Sequence, residues 1–173
     1  GAERGRALRL LEMQHHAMLM FTSCGWFFTD ISGIETLQNL RYAARAIELA
    51  APFANRDLEA ILLEDLGRAQ SNVAAHKNGR HLWEREVRPS RVGPEDAVAR
   101  LLAHGVLGRA VAPQVRYRWA LAPGPVQQDH DLLLAGVRAT SEVTGEVLQL
   151  AGACRRDGPF DFLAGVGPWP AGG

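Results

Sequence analysis

The stretch "PQVRYRWAL", residues 113–121, decides the fold class, because the hydrophobic period of the chain changes there. Val115, Tyr117, Trp119 and Leu121 alternate with polar or small residues, and this two-residue period is typical of a strand. Before this stretch, apolar residues recur at steps of three and four, which indicates helices. Helices followed by strands predict an α+β fold with segregated elements rather than alternating βαβ units.

The part of the chain before Pro113 is predicted to form a bundle of four or five helices. The first helix ends near Thr22, and the second begins at "SGIE", residues 32–35, which matches a capping box with Ser32 as the N-cap. Pro52 closes the second helix, because proline cannot continue a helical hydrogen-bond ladder. The apolar stripes of the later helices cover residues 58–73, a short piece at 80–88, and a helix that starts at Gly93-Pro94.

The part after Pro113 is predicted to form a small antiparallel sheet. Two strands flank a turn at Thr144-Gly145, and "FDFLAGV", residues 160–166, forms another strand. We therefore expect a helical bundle over residues 1–112, a sheet packed on it over residues 113–167, and a tail at residues 168–173.

Charge and cysteine content exclude several classes of protein. Lys plus Arg and Asp plus Glu both number 19, so the chain lacks the basic excess of a dedicated nucleic-acid binder. Charged residues interrupt every apolar run, so no membrane span is expected. The two cysteines, Cys24 and Cys154, are far apart and form no paired motif, which indicates the cytoplasm.

The sequence contains none of the usual catalytic signatures, so we predict no catalytic residues, no metal site and no cofactor. No GxSxG, HExxH, P-loop or GxGxxG motif is present. His15 and His16 are adjacent on a helix and point about 100° apart, which does not suit a shared metal. The run Asp129-His130-Asp131 is better explained as a solvated loop, and Cys24 as a small buried residue.

The stretch "SCGWFFTDISGIE", residues 23–35, interrupts two helices with three adjacent aromatic residues. One interpretation is that these aromatics pack the corner of a helical hairpin, since aromatic side chains are mostly buried. The other is that part of the set lies at a surface, because three consecutive side chains cannot all face one direction.

An exposed set of this kind has the chemistry of a sugar site. Flat aromatic rings can cover the apolar C–H face of a pyranose, and neighbouring hydroxyl or carboxylate groups can bind its hydroxyls. The candidate substrate-binding residues are Trp26, Phe27, Phe28, Asp30 and Ser23.

Three blocks of the chain resemble one known family. The segment "LLEMQHHAMLMFTSCGWFFTDISGIETLQNLRYAARAIELA", residues 10–50, is similar to the helical region that follows the catalytic barrel in a subgroup of family 57 glycoside hydrolases. That region is classed as a domain of unknown function. "HLWEREVRPSRV", residues 81–92, and "GVRATSEVTGEVLQL", residues 136–150, resemble the same domain.

The resemblance implies an accessory role in a larger chain. In better-known family 57 enzymes, a helical hairpin with a tryptophan borders the α-glucan cleft, and Trp26, Phe27, Phe28 and Asp30 would occupy that place. The catalytic pair of the family, a glutamate nucleophile and an aspartate acid/base, belongs to the barrel. The implied partners are an α-glucan and the catalytic barrel, and the chain alone is expected to be inactive. A structural or protein-interaction module is the alternative.

Overall fold

The computed structural model describes residues 2–169, and these residues divide into two compact units between Arg91 and Val92. Helices fill the first unit, and a five-stranded antiparallel sheet with one helix forms the second. The predicted α+β class is therefore confirmed. The prediction extended the bundle to residue 112 and so included the helix that begins at Pro94. The division between the units instead places that helix with the strands. The packing of the sheet on the bundle stays a prediction.

The first unit is built around two long helices that pack against each other. Its α-helices are α1 (Ala2–Leu19), α2 (Cys24–Phe27), α3 (Ile34–Ala50), α4 (Leu58–Arg68) and α5 (Gly79–Leu82). Helix α1 contacts α3, and the guanidinium of Arg9 donates to the backbone oxygens of Leu49 and Glu48 at 3.2 and 3.4 Å. A π-helical turn, Trp83–Val87, continues α5. Single 3₁₀ turns cover Ala51–Phe53, Ala74–His76 and Arg88–Ser90.

The core of the first unit lies between α3, α4 and the π-helical turn. Its buried members are small or apolar except for one large indole, and they are Ala43, Ala44, Leu63, Trp83 and Val87. The buried indole of Trp83 donates its N–H to the carboxylate of Glu59 at 2.9 Å. Arg88 and Arg91 each donate to the same carboxylate at 2.8 Å. The buried indole N–H of Trp83 thus has a hydrogen-bond partner, as is usual for polar groups in folded interiors.

Burial alone would raise the pKa of Glu59, but the hydrogen bonds to that carboxylate outweigh it. The donors are Arg91, Arg88 and Trp83, and together they lower the pKa of Glu59 to about 2. Glu59 is therefore ionised at neutral pH and fixes the chain after the π-helical turn onto α4.

The second unit is a meander of five strands covered on one face by a helix. The helix is α6 (Pro94–Val106), and the strands, in spatial order, are β1 (Gln114–Arg116), β2 (Trp119–Asp129), β3 (Leu132–Ser141), β4 (Val147–Arg156) and β5 (Phe162–Pro168). Helix α6 buries Val98, Leu101 and Leu102 against the sheet. From the strands, Leu121, Leu133, Val137 and Cys154 meet these residues, so the covered face is a continuous apolar layer.

Two predicted helix boundaries were wrong for local reasons. The N-cap of α3 is Gly33, without a side-chain cap, because Ser32 instead donates its backbone N–H to Asp30 Oδ1 at 2.8 Å. The predicted helix over residues 58–73 ends at Arg68. Beyond it the chain folds back on itself, with a bridge between Gln70 and Asn78.

The single strand predicted over residues 115–121 is a hairpin. Arg116 pairs with Trp119, and the two residues between them have positive φ angles, 51° at Tyr117 and 67° at Arg118. Two successive left-handed residues are typical of the tightest hairpin turns. The predicted turn at Thr144-Gly145 is confirmed, as β3 and β4 flank it. Of the predicted tail, Pro168 and Trp169 extend the sheet, and residues 170–173 lie outside the described residues.

Candidate functional site

The candidate site is the aromatic connection, residues 20–33, which joins α1 to α3. Helix α1 ends in a turn in which Phe21 and Thr22 donate their backbone N–H groups to Met18 and Leu19. The single helical turn of α2 follows, and the chain then reaches α3 through residues 28–33. The connection therefore begins with a hydrogen-bonded turn.

Helix α3 holds the first half of the aromatic connection through two polar side chains. The amide of Asn39 accepts from the hydroxyl of Thr22 at 2.7 Å and donates to the Thr22 carbonyl at 3.0 Å. The hydroxyl of Thr36 donates to the carbonyl of Gly25 at 3.2 Å. A Cβ at Gly25 would lie 2.2 Å from Nδ2 of Asn39, so glycine is required here for this close approach.

Asp30 holds the second half of the aromatic connection to the loop that follows α4. Its carboxylate accepts from the backbone N–H groups of Ser32 and Asn72 and from the hydroxyl of Ser71, which lies 2.9 Å from Oδ1. Asn72 returns a hydrogen bond to the carbonyl of Thr29 at 2.9 Å. The bonds from Ser32, together with those from Asn72 and Ser71, hold the pKa of Asp30 well below its usual range.

The structure thus gives Asp30 a role in positioning the connection. Its lone pairs face donors of the protein, with both carboxylate oxygens engaged. The sequence alone did not identify Ser71 and Asn72, although Asp30-Ile31-Ser32 has the spacing of an Asx turn, which could have indicated where the carboxylate points.

Two of the three aromatic candidates lie at the surface. The side chain of Phe27 is 82% exposed and that of Phe28 is 55% exposed. Their rings meet edge to face, with centroids 5.2 Å apart and planes at 77°, which is a favoured arrangement for aromatic pairs. Ser23 is also exposed. The backbone of Trp26 lies in α2, but its side chain lies outside the described part of the structure.

Other large apolar side chains are exposed on the two helices that the connection joins. On α1 and its terminal turn these are Leu11, Met18 and Phe21, and at the start of α3 it is Ile34. Single exposed apolar residues are common, but several on neighbouring elements indicate a surface that binds something. The helical periodicity of the sequence did not predict this exposed apolar surface, because a period does not indicate which face of a helix another element covers.

The other polar candidates form no metal site. Within residues 2–169, no group of three or more His, Cys, Asp and Glu side chains is placed to hold a metal ion. His16 bonds with Glu12 at 3.2 Å, and burial lowers its pKa. Asp129 and His130 lie in a hairpin turn with side chains 86% and 95% exposed. Cys24 is exposed rather than buried, which corrects the prediction for it.

One comparison with known proteins identifies the family. The family model described as "Domain of unknown function (DUF3536)" matches residues 1–170. No curated protein matches the chain, and no solved structure matches it. Among the described helices, none combines the length and apolar character that crossing a bilayer requires.

Proposed function

We propose that this chain, which belongs to the Domain of unknown function (DUF3536) family, is an accessory domain of a glycoside hydrolase or glucanotransferase similar to family 57 enzymes. In this proposal the aromatic connection borders the α-glucan cleft of a catalytic barrel in the same, larger protein. The barrel supplies the two catalytic carboxylates, and the chain alone is inactive. We place the protein in the cytoplasm, because Cys24 and Cys154 are free thiols.

The exposure of Phe27 and Phe28 carries the proposal. Two phenylalanine rings that are 82% and 55% exposed leave a large apolar area in water, which a ligand or partner would cover. The rings have flat faces suited to the C–H face of a glucose unit. They lie on a connection held by Asn39 on one side and by Asp30 on the other. A contact surface fixed in this way binds without a large cost of ordering.

The exposed residues of α1 support the alternative, a protein-interaction module. Leu11 and Met18 are each 67% exposed, and Phe21 is 64% exposed. The aliphatic side chains of Leu11 and Met18 do not stack on sugars, so these two residues suit the surface of a neighbouring domain. The two functions are compatible if α1 packs on the barrel while the phenylalanines face the glucan.

The test uses the complete protein that contains this chain. The double variant Phe27→Ala/Phe28→Ala should lower kcat/KM on amylose about tenfold or more, since each lost stacking contact costs about 0.5–1.5 kcal/mol beyond its buried area. Phe160→Ala is the matched control, because Phe160 is a phenylalanine of the second unit that is 91% exposed. Unchanged turnover in the double variant would reject contact with the glucan and leave the interaction module.

A second test concerns the larger protein itself. The proposal requires that the reading frame encode a barrel with paired carboxylates ahead of this chain. A reading frame that encodes no such barrel would contradict the glycosidase assignment, whatever the aromatic connection binds.

A further inference from the structure

The face of the sheet opposite α6 is apolar and built from small residues at its centre. Leu133, Ala135 and Val137 of β3 are buried on the α6 side, so the residues between them point to the opposite face. Across β3, β4 and β5, two neighbouring rows of that face are Gly136, Ala151 and Gly167, and Leu134, Ala153 and Gly165. Neither row contains a charged residue, although the open face of an antiparallel sheet is commonly polar.

One large aromatic ring, the indole of Trp169, lies on these two rows of residues, which together form an apolar floor. Trp169 follows β5 and donates its backbone N–H to the carbonyl of Gln149 at 2.8 Å. Its indole packs directly on Gly136, where a Cβ would lie 2.2 Å from Cζ3 of the ring. The side chain of Trp169 remains 46% exposed. The ring is therefore held in place from below and open to a ligand.

The indole lines two depressions of the open face. Their volumes are about 460 and 560 Å³, and both are lined by Pro125, Gly136 and Trp169. These volumes lie within the range of about 300–1,000 Å³ of ordinary ligand sites. The first also contacts Arg138 and Gln149, and the second contacts Gln127. Each depression thus combines an apolar floor with one or two polar side chains.

We infer that Trp169 and this floor form a second carbohydrate-binding site, which takes the neutral sugar rings of an α-glucan. A pyranose has an apolar C–H face and a rim of hydroxyls, so it matches an indole and an apolar floor edged by amides. The side chains of Gln127 and Gln149 can donate to sugar hydroxyls and accept from them. Among residues 2–169, Arg138 is the one ionisable residue that lines either depression, so these residues supply no acidic group to bind a cation.

The choice of an α-glucan rests on the proposed function, whereas the site itself lies in a different unit from the aromatic connection. Two depressions that share the indole of Trp169 suit adjacent sugar units of a chain. Such a site would bind a glucan on the same protein as the cleft and so raise the local concentration of glucan.

The experiment is an NMR titration of the chain with maltoheptaose, following the indole N–H signals. The Trp169 signal is identified by its absence in Trp169→Phe. We expect this signal to shift on titration, and Gly136→Ala to weaken the binding that it reports by about tenfold, because the added methyl group displaces the indole. Gly67→Ala is the matched control, since Gly67 lies in α4 of the first unit and a Cβ there would be 3.7 Å from its nearest neighbour, Nε of Arg80, and it should bind like the unmodified chain.

The outcomes separate this inference from the proposed function. A Trp169 signal that does not move with maltoheptaose, or equal affinities of Gly136→Ala and Gly67→Ala, would overturn the second site and leave the aromatic connection untouched. A shift caused by an apolar dye and not by maltoheptaose would overturn the carbohydrate assignment. Conversely, Phe27→Ala/Phe28→Ala should leave the Trp169 shift intact, so loss of turnover in that variant tests the first site alone.

Discussion

The hydroxyl of Ser71 donates to the carboxylate of Asp30 at 2.9 Å, across 41 positions of sequence. This contact fastens the aromatic connection to the loop that follows α4, and Asn72 reinforces it by donating its backbone N–H to the same carboxylate. Because α3 holds the other half of the connection through Asn39, Phe28 lies between two anchored points. The Phe27 and Phe28 rings are therefore exposed on a segment that hydrogen bonds hold on both sides.

Replacing the Asp30 carboxylate should loosen this segment. Asp30→Asn keeps the size of the side chain, but its NH₂ group cannot accept the hydrogen bonds that the second carboxylate oxygen receives. We expect the melting temperature to fall by a few degrees, measured by circular dichroism. Asp65→Asn is the control, since Asp65 is exposed and contacts only Arg68 among the described residues. Equal melting temperatures of the two variants would show that Asp30 anchors nothing.

The lowered pKa values predict how stability depends on pH. Glu59 has a pKa of about 2 in the folded chain against an ordinary value of 4.5, and the pKa of Asp30 is lowered as well. Both groups bind fewer protons when folded, so their stabilising contribution is present above the unfolded pKa. It is lost as the pH falls from about 4.5 towards 2. For Glu59, the loss amounts to about 3 kcal/mol.

Urea denaturation at a series of pH values measures this dependence. Glu59→Gln should be less stable at pH 7 and should show a flatter decline towards pH 2 than the unmodified chain. Glu64→Gln, on the exposed side of α4, should follow the unmodified chain throughout. A decline in Glu59→Gln as steep as in the control would mean that other carboxylates cause the acid sensitivity.

The fold class and several boundaries could be predicted because local chemistry decides them. The helix that starts at Gly93-Pro94 has proline in its first turn, and Asp96 accepts from the backbone N–H of Gly93 at 2.8 Å. The turn at Thr144-Gly145 contains a glycine with a φ of 70°. In each case the residues that form the cap or the turn are close neighbours in the sequence, so a local pattern predicts the structure.

Other features could not be predicted because the sequence pattern allows several contacts, and only the folded chain selects among them. Ser32 matches a capping box, but Asp30 takes its backbone N–H and moves the cap to Gly33. The hairpin at Tyr117-Arg118 lacks the glycine or asparagine that usually marks such a turn. The exposure of Phe27 depends on what packs beside it, and neither composition nor period contains that information.

The turn between β2 and β3 offers a test of backbone strain. His130 has a φ of 44°, and its side chain is 95% exposed. The left-handed conformation costs a non-glycine residue about 1–2 kcal/mol, and glycine gives part of this back through its own entropy. His130→Gly should therefore raise the free energy of unfolding by up to about 1 kcal/mol, measured by urea denaturation. His15→Gly, in the middle of α1, should lower it by about 1 kcal/mol. Destabilisation by both variants would mean that the His130 side chain contributes contacts.

The most direct measurement of the central claim is calorimetric titration of maltoheptaose into the complete protein that contains this chain, with the catalytic carboxylates of the barrel replaced to prevent turnover. Trp169→Ala is the common background, which removes the second site. The account predicts that this background binds maltoheptaose, and that adding Phe160→Ala leaves the affinity unchanged. Adding Phe27→Ala and Phe28→Ala together should lower the affinity about tenfold or more, because two exposed stacking faces are lost. Equal affinity of all three proteins, or no heat of binding in the background, would contradict the claim that the aromatic connection contacts an α-glucan.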